Sequence, residues 1–205
     1  MTEPEEPTRV IGSQMSRVVA GIAGRLRIPY LVSHHSSVAV MGIFSLINGI
    51  VSIGIMAGAA WVTASPFVFP SLGPTAFLFF YTPTMASAAP RNTIFGHLIG
   101  AAAGYLSLVA FGLTEAAPAL ASSVTGPRVG AAALSLGLTS GLMVWLKVPH
   151  PPAGATTLIV SLGILRTLPQ LGVLMLAVVL LTVQGFLINR AAGIDYPPWA
   201  PRTPQ

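Results

Sequence analysis

The chain has 205 residues, 53% of them hydrophobic, and only ten basic and five acidic side chains, with a mean hydropathy of +0.78. A soluble domain keeps about 25% of its residues charged, so most of this surface must meet lipid and the chain reads as an integral membrane protein. The absence of cysteine excludes disulfides, thiol chemistry, zinc fingers and iron–sulfur clusters. The net charge of +5 flanks apolar runs and is no nucleic-acid footprint.

Residues 1–37 form an N-terminal cytoplasmic or interfacial segment carrying Arg9, Arg17, Arg25 and Arg27. Ile11, Met15, Val18, Ile22 and Leu26 recur at helical spacing with Arg17 and Arg25 off that stripe. The pattern fits a helix lying on the membrane surface, and a plain tail is the other reading. The acidic start, with no small-residue cleavage site after a short apolar core, does not read as a cleavable signal.

The eighteen prolines leave four long proline-free apolar runs, 38–64, 92–113, 128–146 and 170–190. At 1.5 Å per residue each can cross a hydrocarbon core of about 30 Å. Between them lie two shorter apolar pieces, 72–81 and 153–165, each led in by Pro and Gly. Irregular backbone at membrane depth is tolerated only inside protein or along a wet cavity, so these pieces read as half-helices fed by extended segments. Residues 191–205 form a C-terminal cytoplasmic tail.

A shift of 81 residues lays Gly73-Pro74-Thr75-Ala76-Phe77 on Gly154-Ala155-Thr156-Thr157-Leu158, and Pro70 on Pro151. The same shift carries the first pair of long runs roughly onto the second. The expected architecture is therefore an all-α transmembrane domain, 38–190, of two tandem repeats, 38–113 and 119–190, each a long helix, a broken half-helix and a long helix. If all six pieces cross, Arg9, Arg17, Arg25, Arg27, Arg91, Lys147, Arg190 and Arg202 share one side and only Arg128 and Arg166 the other. Re-entrant half-helices move Arg91 and Lys147 out and Arg128 in. Either way the positive-inside rule places both termini in the cytoplasm. Three crossings per repeat make the repeats inverted, and two make them parallel.

Glycines four apart at Gly54 and Gly58, at Gly96, Gly100 and Gly104, and at Gly137 and Gly141 suit close helix packing in lipid. The large aliphatic residues of 173–188 suggest that the last helix is peripheral or at an oligomer interface. Homo-oligomerisation is expected, because so small a bundle has little bulk to shield two broken helices.

A helix N-terminus offers unpaired N–H groups and a positive dipole end, a ready anion site. Ser71, Gly73 and Thr75 on one half-helix, and Gly154, Thr156 and Thr157 on the other, are the candidate anion-binding residues. Arg91 and Asn92, at the head of a span, add a charge that draws anions in or else an interfacial anchor. His150 either couples a proton and touches the anion, or ties down loop carbonyls. His97 and Asn48 are polar groups within spans, read as interhelical hydrogen bonds or as pathway lining, and Gln184 is read the same way. His34 and His35 are interfacial. The four dispersed histidines make no metal cluster, no cofactor is implied, and no carboxylate pair or nucleophile motif indicates an enzyme.

Val148-Pro149-His150-Pro151-Pro152-Ala153-Gly154-Ala155-Thr156 resembles the signature of the HPP family, small integral membrane proteins of bacteria and plastids. Ser71-Leu72-Gly73-Pro74-Thr75-Ala76, Pro90-Arg91-Asn92, Gly96-His97 and Tyr196-Pro197-Pro198-Trp199 resemble its other motifs, in order. The family pattern has Ala-Ser where this chain has Pro74-Thr75, and two glycines where it has Ala153-Gly154. The resemblance implies a four-helix membrane protein and links it to nitrite transport. The expectation is thus a channel or carrier for a small inorganic anion, nitrite or nitrate, with a non-transporting scaffold as the alternative. Lacking a long Ser-rich transit segment, the chain is expected in a bacterial inner membrane rather than a plastid.

Overall fold

The computed structural model describes Gly24 and residues 26–202, so the stripe from Ile11 to Ile22 lies outside the described residues. The protein is an all-helical integral membrane protein. Four helices are long and apolar enough to cross a bilayer: α2 (Ser37–Thr63), α4 (Pro90–Ala110), α6 (Gly126–Trp145) and α8 (Leu168–Ala191). Two are half that length, α3 (Leu72–Tyr81) and α7 (Ala153–Ser161). A short α1 (Ile28–His34), a single turn α5 (Ala119–Ser122) and a 3-10 turn at Ala86–Ala88 complete the order.

Three long helices begin at or just before a proline, at Pro90, Pro127 and Pro169. The first turn needs no amide donor there and proline's fixed φ suits it, so these helices start about two residues earlier than proline-free runs suggest. Thr167 opens α8 with a capping box, accepting from the Gln170 amide while Gln170 Oε1 accepts from the Thr167 amide.

Hydrogen bonds fix which helix ends share a face of the bundle. Ile28 N–H donates to Ala192 O, Arg91 N–H to Trp199 O, and Arg91 Nη2 to Lys147 O. The start of α1, the start of α4, and the ends of α6 and α8 therefore lie together. On the opposite face Ala119 N–H donates to Leu162 O, and Arg166 Nη1 to the carbonyls of Glu115 and Ala116. The end of α4 and the end of α7 meet there. The chain thus runs through the bundle six times, three per repeat, and both half-helices traverse it with their extended lead-in segments, the arrangement of inverted repeats.

The repeat also appears in helix termination and packing. Gly112 (φ +65) and Gly193 (φ +79), which stand 81 residues apart, occupy the same left-handed position after α4 and α8. In each case the next amide reaches back, Leu113 to Leu108 O and Ile194 to Asn189 O, closing a Schellman motif. A Cβ on Gly104 would lie 2.7 Å from Val160 Cβ, and one on Gly185 would lie 2.5 Å from Phe79 Cδ2. Gly104 and Gly185 are equivalent under the 81-residue shift, and so are Phe79 and Val160. Each repeat therefore lays its last helix on the half-helix of the other, as a pseudo-two-fold axis requires, while its first long helix packs on its own half-helix.

Only part of the expected glycine packing is used. Gly96, Gly100 and Gly104 press α4 onto His150, onto the backbone of Ala153 and onto Val160. Among the described residues, a Cβ on Gly54, Gly58 or Gly137 would meet nothing within 4 Å, and one on Gly141 would meet only its own helix's Trp145, so these glycines do not sit at contacts between the described helices. The peripheral helix is the first and not the last. Only 11% of the most apolar stretch of α2 is buried, against 39% for α8, because Leu174, Val178 and Leu181 of α8 enter the core beside Phe79 and Tyr196.

Candidate functional site

Thr75 stands in the first turn of α3 and Thr156 in the first turn of α7, each four residues beyond the N-cap. Their half-helices approach from opposite faces, and His97 of α4 fills the space between them. His97 Nε2 lies 3.0 Å from Thr75 Oγ1, and Nδ1 lies 2.7 Å from Thr156 Oγ1. His150, from the extended segment ahead of α7, places Nε2 3.2 Å from both His97 Nε2 and Thr75 Oγ1. Its Nδ1 is 2.7 Å from Ser87 O and 3.4 Å from Thr93 Oγ1. All five side chains, Thr75, Thr93, His97, His150 and Thr156, are fully buried.

The proton inventory of the cluster follows from its acceptors. The Ser87 carbonyl can only accept, so His150 Nδ1 carries the hydrogen and Nε2 of the neutral ring accepts. The Thr75 hydroxyl donates to Ser71 O at 2.9 Å. His97 Nε2–H then donates into the angle between Thr75 Oγ1 and His150 Nε2, and His97 Nδ1 accepts from Thr156. This assignment, made by satisfying the network, pairs both rings and the hydroxyls of Thr75 and Thr156 with both rings uncharged.

The local fold explains the geometry. Glycine at 96 and 100 removes the side chains that would hold α4 away from His150 and α7. Arg91 does not face the cluster: its Nη2 holds Lys147 O at 2.8 Å and its Nε donates to Asn92 Oδ1 at 3.1 Å. Asn92 in turn donates to Ala86 O. The pair braces the two loops that carry Ser87 and His150. His150 likewise ties a loop carbonyl, yet its other nitrogen enters the cluster.

Other expected site residues lie apart from it. Gly73 is exposed on the bundle surface, and Gly154 is half-buried against Leu136. Ser71 and Thr157 are buried, with hydroxyls that have no hydrogen-bond partner among the described residues. Asn48 bonds the carbonyl of Phe44 on its own helix at 2.7 Å and lines an apolar surface groove with Ile28 and Leu31, and it makes no interhelical bond among the described residues. Gln184 does cross between helices, to Met56 Sδ. The N-terminus of α7 is not an open anion cradle here. The amides of Ala153, Gly154, Ala155 and Thr156 donate to the carbonyls of His150, Pro151 and Pro152. Proline-rich lead-in segments curl into turns, and these turns supply the acceptors.

The central role of His97 and the participation of Thr93 were not apparent from the sequence. The one linear signal was the 81-residue offset between Thr75 and Thr156, which marks them as equivalent without naming what lies between.

The family described as HPP, transmembrane region, matches residues 33–197. Two proteins of Dictyostelium discoideum, named only as transmembrane proteins, are similar to parts of the chain. One is 36% identical over 45% of this chain and 27% of its own length, the other 34% identical over 46% and 30%. The chain therefore spans under a third of those relatives. No solved structure matches. With the match covering most of its length, and the matched region holding both half-helices and the buried histidine pair, the chain belongs to the HPP transmembrane family.

Proposed function

We propose that this protein moves a small inorganic anion, nitrite before nitrate, across a membrane. The observation that carries the reading is the convergence of Thr75 and Thr156, from two half-helices, on a buried His97–His150 pair. Polar and ionisable groups inside a membrane protein are costly and mark pathways, and broken helices meeting in the bundle interior build the substrate sites of many transporters. An anion that displaces the His97–His150 contact meets the Nε2–H of His97 as a donor, and the Thr75 hydroxyl becomes a second one once it turns away from Ser71 O. No fixed countercharge stands there, which suits release as well as capture.

Four surface grooves of about 230 to 520 Å³ among the described residues are lined by none of the five cluster residues. On this reading the structure corresponds to a closed arrangement of the pathway. A scaffold, the second reading, is favoured by the same closure and by the self-bonded amides of α7. Arg27, Arg91, Lys147, Arg190 and Arg202 lie towards the face that holds the start of α1 and the end of α8, and among the described residues only Arg128 and Arg166 lie towards the other. By the positive-inside rule the first face is cytoplasmic in a bacterial inner membrane. The broad exposure of α2 supports assembly as a homo-oligomer.

The test is uptake of nitrite, nitrate and chloride into proteoliposomes, against empty liposomes, at a pH where little nitrous acid exists. Protein-dependent nitrite uptake that His97→Ala abolishes supports the reading. Flux equal to empty liposomes for every anion, from folded protein, favours the scaffold.

A further inference from the structure

The buried stripe of α6 is polar where a membrane helix is expected to be apolar. Its buried residues are Arg128, Ala131, Ser135, Thr139 and Met143, one helical face. The lipid-facing side carries Val129, Leu134, Leu136, Leu138 and Val144. That inner face packs on α4 and α7. On α7, Thr157 and Ser161 stand four apart, and both are fully buried. The hydroxyls of Thr139, Thr157 and Ser161 have no hydrogen-bond partner among the described residues. A buried hydroxyl without a partner costs about 1–3 kcal/mol, and three beside the same pair of helices call for water or a ligand.

The stripe ends at a cation. Arg128 is 2% exposed, and it forms no ion pair among the described residues, where both ion pairs use Asp195. Its Nη1 donates to Ser161 O at 3.1 Å and its Nη2 to Ala117 O at 2.9 Å. Capping the negative end of α7 explains the bond to Ser161 O and tying the loop before α5 the bond to Ala117 O, but a guanidinium has five donors. Gly163, at φ +79, lies so close that a Cβ would stand 3.0 Å from Nη1. Under the 81-residue shift the five polar positions fall on Ile47, Gly54, Gly58, Ala76 and Phe80. The first repeat carries no such line, so the fold does not require it.

We propose that a hydrated passage for a small monovalent anion runs between α6 and α7, from the His97–His150 pair to the opposite face, with Arg128 as the anion-receiving group at that far end. The proposal rests on the transport reading and assigns its route and second station. Thr139 and Thr157 are intermediate stops whose unpartnered hydroxyls donate to the passing anion, and Arg128 supplies a fixed positive charge at its far end.

The chain has no cysteine of its own, so single cysteines report water access directly. Thr139→Cys, Ser135→Cys and, as a lipid-facing control, Val144→Cys are made in the full-length protein in proteoliposomes. Each is treated with an anionic sulfonatoethyl methanethiosulfonate and with its cationic trimethylammonium counterpart. The proposal expects Thr139→Cys to react about tenfold or more faster than Val144→Cys, and faster with the anion than with the cation. A thiol at 139 as inert as the one at 144 overturns it. In parallel, Thr139→Val with Thr157→Val is expected to lower nitrite uptake about tenfold, equivalent to about 1.4 kcal/mol of barrier. The melting temperature should hold or rise, since only unpartnered hydroxyls are removed. Wild-type uptake in that variant overturns the route while transport stands. A reactive Thr139→Cys in a protein with no nitrite uptake supports the passage and overturns the nitrite reading alone.

Discussion

Thr75 and Thr156 stand 81 residues apart at the same position of two half-helices, and one imidazole joins them, His97 Nε2 to the first and Nδ1 to the second. A residue with no repeat counterpart of its own kind (81 positions on stands Val178) thus sits between two equivalent hydroxyls. The two halves of the bundle are locked by a group that only one of them provides.

That lock has a stability consequence. Thr156→Val leaves His97 Nδ1 buried without a donor, and a loss of about 1–3 kcal/mol is expected. Combined with Thr75→Val the losses should be non-additive, because both act through one ring. Thermal unfolding of the single and double variants in detergent checks this, and two neutral single variants would show that the ring is not held by these bonds.

Gly100 and Gly137 should respond in opposite ways to alanine. A Cβ at 100 would stand 2.7 Å from the backbone oxygen of Ala153, which cannot swing aside, whereas one at 137 meets nothing within 4 Å. Gly100→Ala is expected to cost about 1–3 kcal/mol through overpacking. Gly137→Ala should be neutral or gain up to about 1 kcal/mol from helix propensity. The comparison is read as melting temperature under identical detergent conditions.

Lys147 occupies the left-handed position after α6, at φ +53, with Val148 N–H reaching back to Met143 O. Gly112 and Gly193 hold the equivalent place after α4 and α8. A side chain there costs about 1 kcal/mol, so Lys147→Gly should stabilise by up to that amount while keeping the carbonyl that Arg91 holds. Arg91→Ala should destabilise instead, by freeing the same loop. Chemical unfolding of both variants tests the pair, and a destabilised Lys147→Gly would count against the argument.

Tyr196 lies beyond α8, fully buried, with its hydroxyl donating to Ala88 O and its ring edge-on to Phe79 and Phe186. Burial pushes the phenol upward from its ordinary value. The folded state therefore keeps a proton that the unfolded chain releases above about pH 10, and stability is full below that pH and falls as pH rises through it. Unfolding measured from pH 8 to 11 should show this decline, flattened in Tyr196→Phe. At neutral pH that variant should lose about 1 kcal/mol for the hydrogen bond.

The long helices were legible because length and hydropathy suffice to define a span. The half-helices were legible because prolines break the pattern ahead of each, with Pro70 and Pro151 at matching places. The contacts were less so. Gly54 and Gly58 have the same spacing as Gly96 and Gly100, and nothing local says that one pair faces outward and the other meets α7. Arg91 and Arg128 both open a long helix after a proline. Only the fold shows that the first turns to a neighbouring loop and the second into the interior. His97 read as either an interhelical hydrogen bond or pathway lining, because its partners at 75, 150 and 156 come from three separate segments.

The exchange in which Gly185 receives Phe79 and Gly104 receives Val160 bears on how the chain is made. During synthesis α3 leaves the ribosome about a hundred residues before the helix that receives it. Until α8 enters the membrane, the first half-helix has no cradle and must wait in an unfinished bundle. Neither half can reach its final packing alone, so separately expressed halves should need each other in the same membrane to persist.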